Sequence, residues 1–308
     1  MPARPLDLDG CGELARLERS GLVESRHLGA AAVVDASGRV LRAVGDVGAT
    51  VYPRSTLKPL QAIAMLEAGA RFTDEQLVLA SASHCGSPAH LAVVEGMLSE
   101  DGRSPDDLQC PVDPPLGSRE RAERRAAGLP ASRVTMNCSG KHAGFLRASD
   151  ALGADARQYL HVEHPVQRRV VETIAQWTGE AVHHTAVDGC GAPLHATSLA
   201  ALARGIARVA AEESAHAAAL MTAVRAQPWA IDGVGRANTV VIERLGLLAK
   251  IGAEGLVVLA TPEGVAVAVK VLDGGMRATT PGSRGPGERE SAVEGERAAL
   301  GGRRITKQ

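Results

Sequence analysis

Residues 255–272 read GLVVLATPEGVAVAVKVL, and this stretch decides the fold. Two apolar runs flank Pro262-Glu263-Gly264, and a turn of this kind between β-rich runs predicts a hairpin. In the second run every other residue from 265 to 271 is a valine, which is the period of a strand with two different faces. The opposite face carries Ala266, Ala268 and Lys270, so the sequence places this lysine among small residues.

A second hairpin is predicted near the other end of the chain, where residues 29–35 (GAAAVVD) and 39–44 (RVLRAV) flank Ala36-Ser37-Gly38. The segment between the two hairpins has few strand signals. The strands near 29–35, 39–44, 255–261 and 265–272 are therefore expected to form one antiparallel sheet, with a helical insert over 56–250. This arrangement is a single α+β domain covering residues 1–277.

Helical spacing fills the middle of the chain, at residues 59–68, 74–83, 88–98, 165–177 and 194–211. Thr73, followed three residues later by Gln76, is a start signal for the second of these helices. Residues 278–308 change character: they are rich in Gly, Arg and Glu and poor in large apolar side chains. We expect this Gly/Arg-rich tail to be mobile, because it can bury little surface to offset the entropy of ordering.

Composition excludes several classes of function. The 308 residues carry a formal net charge of −1 and only 2% aromatic side chains, so neither nucleic acid nor an anionic membrane surface is an expected partner. No apolar run is long enough to span a bilayer, and residues 1–7 lack the apolar core of a signal peptide. The five cysteines do not resemble a disulfide framework. A cytoplasmic location is expected.

Ser55-Thr56-Leu57-Lys58 is a Ser-x-x-Lys motif. At a spacing of three on a helical turn the two side chains share one face. A desolvated lysine can then accept the serine proton, as in serine β-lactamases. A serine before a helix is more often a simple N-cap, so the motif alone is a weak indication of catalysis.

Two glycine-containing segments are dense in reactive groups: residues 137–144 (NCSGKHAG) and 188–193 (DGCGAP). Such side chains are poor core material and typical of sites. Cys138 and Cys190 can be metal ligands or buried free thiols, and the spacing alone favours free thiols because it contains no Cys-x-x-Cys pattern.

Taken together, these segments resemble the asparaginase II family, whose members are serine-dependent. The likeness runs from about Arg19 to Arg277 in six ordered blocks. These blocks include RSTLKP at 54–59, ASH at 82–84, NCSGKH at 137–142, DGCG at 188–191 and KIGAEG at 250–255. The resemblance implies a serine β-lactamase-like fold and hydrolysis of L-asparagine to L-aspartate and ammonia. One departure is Ser87, which stands where the family has a glutamate.

The resemblance also implies roles for individual residues. The expected catalytic set consists of two serine–lysine pairs, Ser55 with Lys58 and Ser83 with Lys270. The expected substrate-binding residues are Arg54, His84, Asn137 and Asp188. Family members can hold zinc through two cysteines and a lysine, which match Cys138, Lys141 and Cys190, and they tend to be homodimers. No organic cofactor is expected.

The expected reaction is attack by one serine, Ser55 in preference to Ser83, on the side-chain amide of L-asparagine, with Lys58 as general base, through an acyl-enzyme. Two alternatives remain open. One is a glutaminase or a β-lactam-binding acyl transferase on the same fold. The other is a catalytically dead protein that binds a metal or an amino acid.

Overall fold

The computed structural model of this chain describes residues 3–279. Most of the predicted tail, and its expected mobility, therefore lies outside the described residues. Its first two positions are part of the folded body: Ala278 packs against a small cluster formed by Leu14, Ala31 and Val271, and Thr279 is buried. The folded unit thus extends at least two residues beyond the predicted boundary at 277.

The centre of the fold is a six-stranded antiparallel sheet. Its strands lie in the order β1-β2-β10-β9-β8, and β3 also pairs with β2. All four predicted strands belong to this sheet, so the α+β prediction is confirmed. The sheet strands are β1 (Gly12–Arg19), β2 (Leu22–Asp35), β3 (Val40–Val44), β8 (Leu248–Gly252), β9 (Leu256–Ala260) and β10 (Val265–Val271).

Four short strands lie outside the main sheet in two small pairs, β4 with β7 and β5 with β6. Their bounds are β4 (Thr50–Val51), β5 (Thr185–Val187), β6 (Pro193–His195) and β7 (Thr197–Ser198). The predicted helix over 194–211 therefore begins later, at Leu199. The physical reason is the Ser198 side chain, which caps this helix by accepting the Ala201 N–H while the preceding residues pair as strands.

Nine α-helices lie within residues 3–279, and the other four predicted helices are among them. Thr73 and Gln76 form the expected capping box. The helices are α1 (Lys58–Glu67), α2 (Asp74–Ala80), α3 (Pro88–Glu100), α4 (Ser118–Ala126), α5 (Ser139–Ala151), α6 (Pro165–Thr178), α7 (Leu199–Ala210), α8 (Ala215–Ala226) and α9 (Ala237–Leu245).

The two faces of β10 explain how the sheet is packed. Ala266 and Ala268 are completely buried against the helical layer, where α7 packs across β2, β10 and β9. Small side chains on this face allow a helix to approach the sheet closely. On the outer face, Val265, Val267 and Val269 are only partly buried, whereas Val271 is buried in the small cluster with Leu14 and Ala31. Lys270 shares the helix-facing side, as its spacing predicts.

Helix α1 carries the Ser-x-x-Lys lysine into the core. Every residue from Lys58 to Met65 is buried, and Pro59 occupies the first turn, where its missing N–H costs nothing. Burying a side chain such as Leu60 or Ile63 stabilises the fold by about 1.5–3 kcal/mol. The apolar helix therefore holds Lys58 in a place where an amine would not enter unaided.

The turn before α1 packs tightly on the last strand of the sheet. A Cβ at Gly252 of β8 would lie 3.1 Å from Thr56 Cγ2 and 3.2 Å from the Pro53 carbonyl oxygen. Glycine is thus the residue that lets β8 and the Ser55 turn approach each other. This contact brings the Ser-x-x-Lys motif to the β8 edge of the sheet.

Candidate active site

Two buried lysines flank one serine at the junction of α1, the segment after α2, and β8. Lys58 Nζ and Lys250 Nζ each donate a hydrogen bond of 3.0 Å to Ser83 Oγ. Lys58 Nζ also donates to the Ala82 carbonyl oxygen and, at 3.1 Å, to Cys138 Sγ. We call Lys58, Ser83 and Lys250 the Lys–Ser–Lys row. A hydroxyl held between two amines is suited to moving a proton from one to the other.

Backbone hydrogen bonds fix Ser83 in this position. Its segment, residues 81–87, leaves α2 and runs beside the chain before α9, where Ser83 N donates to the Ile231 carbonyl and Cys85 N donates to that of Asp232. The same region also holds β8, because Asn238 Oδ1 accepts the Ile251 N–H at 3.0 Å. One stretch of chain thus anchors both the serine and the strand that carries Lys250.

Lys250 has the electrostatics of a proton carrier. Burial, together with the neighbouring Lys58 amine, lowers the pKa of Lys250 to about 7, and the Asp232 carboxylate opposes this effect. An amine with a pKa near 7 is present in both protonation states at neutral pH. Proton-transfer groups are most effective in that condition.

The structure corrects the expected Ser83–Lys270 pair. Lys270 Nζ instead donates to the carbonyl oxygens of Glu254 and Val271. The reason is the strand order: Lys270 lies on β10 in the interior of the sheet, whereas Lys250 lies on β8 at its edge, beside the Ser55 turn. A sequence signal for Lys250 exists, because Lys250-Ile251-Gly252 matches the Lys-x-Gly pattern of β-lactamases.

Ser55 lies in the turn that precedes α1, the helix that carries Lys58. It is partly exposed, within the single turn of 3-10 helix from Arg54 to Leu57 that leads into α1. Arg54 has a φ of +49°, a left-handed conformation that is strained for a residue with a side chain. No hydrogen bond joins Ser55 Oγ to Lys58 Nζ, whose donors are used on Ala82, Ser83 and Cys138.

Asp188 holds Arg54 beside the serine. Arg54 Nε donates to Asp188 Oδ1 at 2.8 Å, so two of the expected substrate-binding residues are brought together. Both line an open cavity of about 490 Å³, with Lys270 and Glu254 on the same wall. Ser55, Ser83 and Lys250 are not among the lining residues, and the connection between this cavity and the Ser-x-x-Lys turn is Arg54, which immediately precedes Ser55.

The three expected metal ligands converge below this cavity. Lys141 Nζ donates to Cys190 Sγ at 3.1 Å, and Cys138 and Cys190 interact with each other through their thiols. All three side chains are buried. Asp188 is next to them, since its Oδ2 lies 3.6 Å from Cys190 Sγ.

The charges of this cluster are paired within it, because a Cys190 thiolate faces the Lys141 ammonium. The hydrogen bond from the Cys138 thiol, aided by Lys141 and His142 and opposed by burial, lowers the pKa of Cys190 far below its usual range. The interaction with Cys190, together with burial, raises the pKa of Cys138. Burial opposes the charged Lys141, but Cys190, Cys138 and Asp188 together raise its pKa. The described residues contain no group of three or more His, Cys, Asp or Glu side chains arranged for a metal. Any ion bound here would therefore need the Lys141 amine as a ligand beside the two sulfurs.

The other two expected substrate-binding residues lie differently. His84 is completely buried, and its Nε2 is 2.8 Å from Ser139 Oγ. This corrects the expectation for His84, because its ring supports the Ser83 segment from behind and does not reach the cavity. Asn137 is partly buried, and its Oδ1 accepts a hydrogen bond from the Cys138 thiol at 2.9 Å. Asn137 thus borders the sulfur cluster.

Two further observations concern the rest of the surface. The basic stretch over 119–125 lies on α4, which has no buried residue, so it is the solvated helix face that its alternating charges indicate. In residues 3–279, no helix has the length and apolar character needed to cross a bilayer.

Comparisons with known proteins identify one family and several solved structures to which the chain is similar. The family model for L-asparaginase II matches residues 15–282. Among solved structures, the chain is similar to a β-lactamase from Mycobacterium bovis, with 17% identity, a TM-score of 0.38, and coverage of 80% of this chain and 87% of that one. It is also similar to Mglu in its native form, with 13% identity, a TM-score of 0.44, and coverage of 88% of this chain and 63% of that one. No curated protein sequence matches the chain.

Proposed function

The chain belongs to the L-asparaginase II family, and from this premise we propose that it hydrolyses the side-chain amide of L-asparagine to L-aspartate and ammonia. The observation that carries the proposal is the Lys–Ser–Lys row, in which Ser83 Oγ lies 3.0 Å from the amines of both Lys58 and Lys250. Acyl transfer from an amide needs a nucleophile and also a proton for the departing nitrogen. The row can supply that proton.

Ser55 is the nucleophile in this mechanism. It follows Arg54, which lines the cavity, and it lies three residues before Lys58, so both side chains belong to one helical face. Lys58 first passes a proton through the Ser83 hydroxyl to the neutral Lys250 amine, and it then accepts the Ser55 proton as Oγ attacks the amide carbon. The hydrogen bond that this step requires is absent without substrate, and such bonds often tighten only in the substrate complex.

Ser83 and Lys250 complete the proton balance. As the tetrahedral intermediate collapses, the Ser83 hydroxyl donates its proton to the leaving nitrogen, and Lys250 returns a proton to Ser83. Ammonia leaves and Ser55 holds the substrate as an ester. Water then attacks this ester and releases aspartate, and the proton that it loses returns to the lysines.

A zinc ion fits the sulfur cluster as a second component of the site. Cys138, Cys190 and Lys141 would hold it once the Cys138 thiol and the Lys141 ammonium had each released a proton; cysteine sulfurs are ordinary zinc ligands, and a lysine nitrogen is an unusual one. When bound, zinc would supply a fixed positive charge beside Asp188 that orients the substrate. Elemental analysis of the purified protein tests this part. We expect about one zinc per chain, and a loss of the metal in Cys190→Ser.

The catalytic proposal is tested by ammonia release from L-asparagine. Ser55→Ala and Lys58→Ala should each remove nearly all activity, and the double variant should be little worse because the pair acts as a unit. Substantial turnover by Ser55→Ala would instead make Ser83 the nucleophile. Thr222→Ala, an exposed change on α8, is the control and should leave the activity unaltered.

Parallel assays separate the alternative functions. A glutaminase would turn over L-glutamine at least as well as L-asparagine, and a β-lactam-binding acyl transferase would react with nitrocefin. A catalytically dead binding protein would release no ammonia from any amide. The Lys250 amine, with its pKa lowered to about 7, favours an active site over a dead one. Size-exclusion chromatography with light scattering tests the homodimer that we propose by family membership.

A further inference from the structure

Four charged side chains line the cavity, and one of them, Lys270, forms no ion pair with any described residue. Arg54 is paired with Asp188 at 2.8 Å and lies 3.8 Å from Glu254 Oε1. Lys270 Nζ has only neutral acceptors, the carbonyl oxygens of Glu254 at 2.7 Å and Val271 at 2.6 Å. No described carboxylate forms an ion pair with it. An ammonium has three N–H groups, so one remains for a further acceptor.

The position of Lys270 makes this arrangement unusual. Its side chain is half-buried on the helix-facing side of the sheet, and it lines the cavity together with Arg54 and Asp188. The Glu254 and Asp273 carboxylates stabilise this cation from a distance but form no ion pair with it, so an anion that bonds directly to the amine would add a charge-assisted hydrogen bond. Two backbone carbonyls hold the amine in place before any ligand arrives, so little entropy would be lost on binding.

The cavity also offers a carboxylate next to Lys270 that is not in an ion pair with it. Glu254 is 62% exposed at its side chain and makes only the long contact with Arg54, so its carboxylate is available to a ligand. The turn that carries it is fixed, because Glu254 has a φ of +61° and its carbonyl accepts the Lys270 amine. A cation site and an anion site therefore share one cavity of about 490 Å³, which is within the range of small-molecule pockets.

We propose that Lys270 binds the α-carboxylate of an amino-acid amide while Glu254 faces its α-ammonium group, so that this cavity selects amides that carry an amino-acid head group. The inference rests on the proposed function and deepens it. Arg54 joins this head-group site to the reaction centre because it immediately precedes Ser55. Lys270 is thereby a specificity residue for the reaction, and it takes no part in proton transfer.

Substrates that lack one charge test the proposal. L-Asparagine carries both charges, β-alaninamide lacks the α-carboxylate, and succinamate lacks the α-ammonium. Lys270→Met should lower kcat/KM for L-asparagine about 10- to 100-fold, the scale of a hydrogen bond to a charged group. The same variant should change the value for β-alaninamide less than twofold. Glu254→Gln should likewise affect L-asparagine and spare succinamate.

Two controls make the result decisive. Lys270→Arg keeps the cation and should recover part of the loss, whereas Arg42→Met removes an exposed cation of β3 outside the cavity and should change nothing. An equal loss of kcat/KM on L-asparagine and β-alaninamide would overturn the proposal, because the role of Lys270 would then be structural. An unchanged kcat/KM of Lys270→Met on L-asparagine would overturn it as well.

A binding measurement distinguishes failure of this inference from failure of the proposed function. L-Aspartate is titrated calorimetrically into the full chain and into Lys270→Met. Aspartate binding that weakens at least tenfold in the variant supports the head-group site, even if the wild-type chain releases no ammonia and the catalytic proposal fails. Binding that is equal in both proteins, or undetectable in both, overturns the head-group site whatever the turnover.

Discussion

The buried Lys250 amine should make the protein less stable than it would be with an apolar side chain at that position. Lys250→Met keeps a long unbranched stem and removes the amine. The environment of Lys250 lowers its pKa from 10.5 to about 7. Each pKa unit corresponds to about 1.36 kcal/mol, so holding this group in the folded state costs about 5 kcal/mol at pH values below 7.

The sign of the pH dependence follows from proton binding. Between pH 7 and 10.5 the unfolded chain keeps the Lys250 proton while the folded chain has lost it, so wild-type stability rises with pH across this window. The methionine variant lacks this contribution. It also leaves the Ile251 carbonyl oxygen without its Lys250 donor, which costs about 1–3 kcal/mol. The net expectation is a variant about 2–4 kcal/mol more stable near pH 7.

Urea unfolding of both proteins at pH 7, 8, 9 and 10 measures the effect. The stability advantage of Lys250→Met should shrink steadily as the pH rises, while ammonia release is lost at every pH. Lys270→Met is the matched control, and because that amine is half-exposed its pH-dependent gain should be smaller. A Lys250→Met protein that is less stable at pH 7, or a difference that does not change with pH, would refute the reasoning.

Two further predictions concern the helices that position the site. Gly140→Ala should destabilise the fold by about 1–3 kcal/mol, because its Cβ would lie 2.6 Å from Leu79 Cγ and from the Leu79 carbonyl oxygen. The control is Gly96→Ala in α3, where the new Cβ meets open space and should stabilise the helix by about 0.5–1 kcal/mol. Thermal unfolding measures both variants, and equal effects would contradict this packing. Thr73→Ala removes the capping box of α2 and should lower the free energy of unfolding in urea by about 1 kcal/mol. Thr222→Ala is its control and should change that free energy by close to zero. A similar decrease in both variants would show that the cap contributes nothing specific.

The strands predicted from the sequence are those whose alternation reflects burial. β10 was recognisable because its valines and alanines face different layers. β1 was not predicted, because its sequence, GELARLER, is rich in charge and its pairing with β2 is interrupted by two irregularities. β8 was missed for another reason: five residues that include a lysine and a glycine carry little periodicity.

Helix α5 is an element that local sequence propensities do not predict. Residues 137–144 resemble a loop, since glycines and short polar residues are poor helix formers. In the structure the helix begins at Ser139, and Gly140 and Gly144 allow it to pack against Leu79 and Met65. Tertiary packing therefore overrides local propensity, and it places Lys141 in the first turn of a buried helix.

The site could be predicted in part. Lys58, and the convergence of Cys138, Lys141 and Cys190, followed from motifs and from the family resemblance. The partner of Ser83 did not, because Lys250 and Lys270 both precede turns on neighbouring parts of one sheet. Only the strand order shows which of them lies at the edge. His84 was misplaced because a sequence does not show which side of a segment faces the core.

The turn that carries Ser55 also shields the edge strand β8 from pairing with strands of other protein molecules. β8 is the last strand of the sheet, and exposed strand edges recruit foreign strands. Here Pro53 and Thr56 pack against Gly252. The Asn238 side chain accepts a hydrogen bond from the Ile251 N–H, and the Lys250 amine donates one to the Ile251 carbonyl oxygen. The groups that close the edge therefore belong to the candidate active site or directly support it. Substitutions that loosen residues 53–56 should expose this edge to self-association, so loss of solubility and loss of turnover would appear together, and light scattering must accompany each activity assay on such variants.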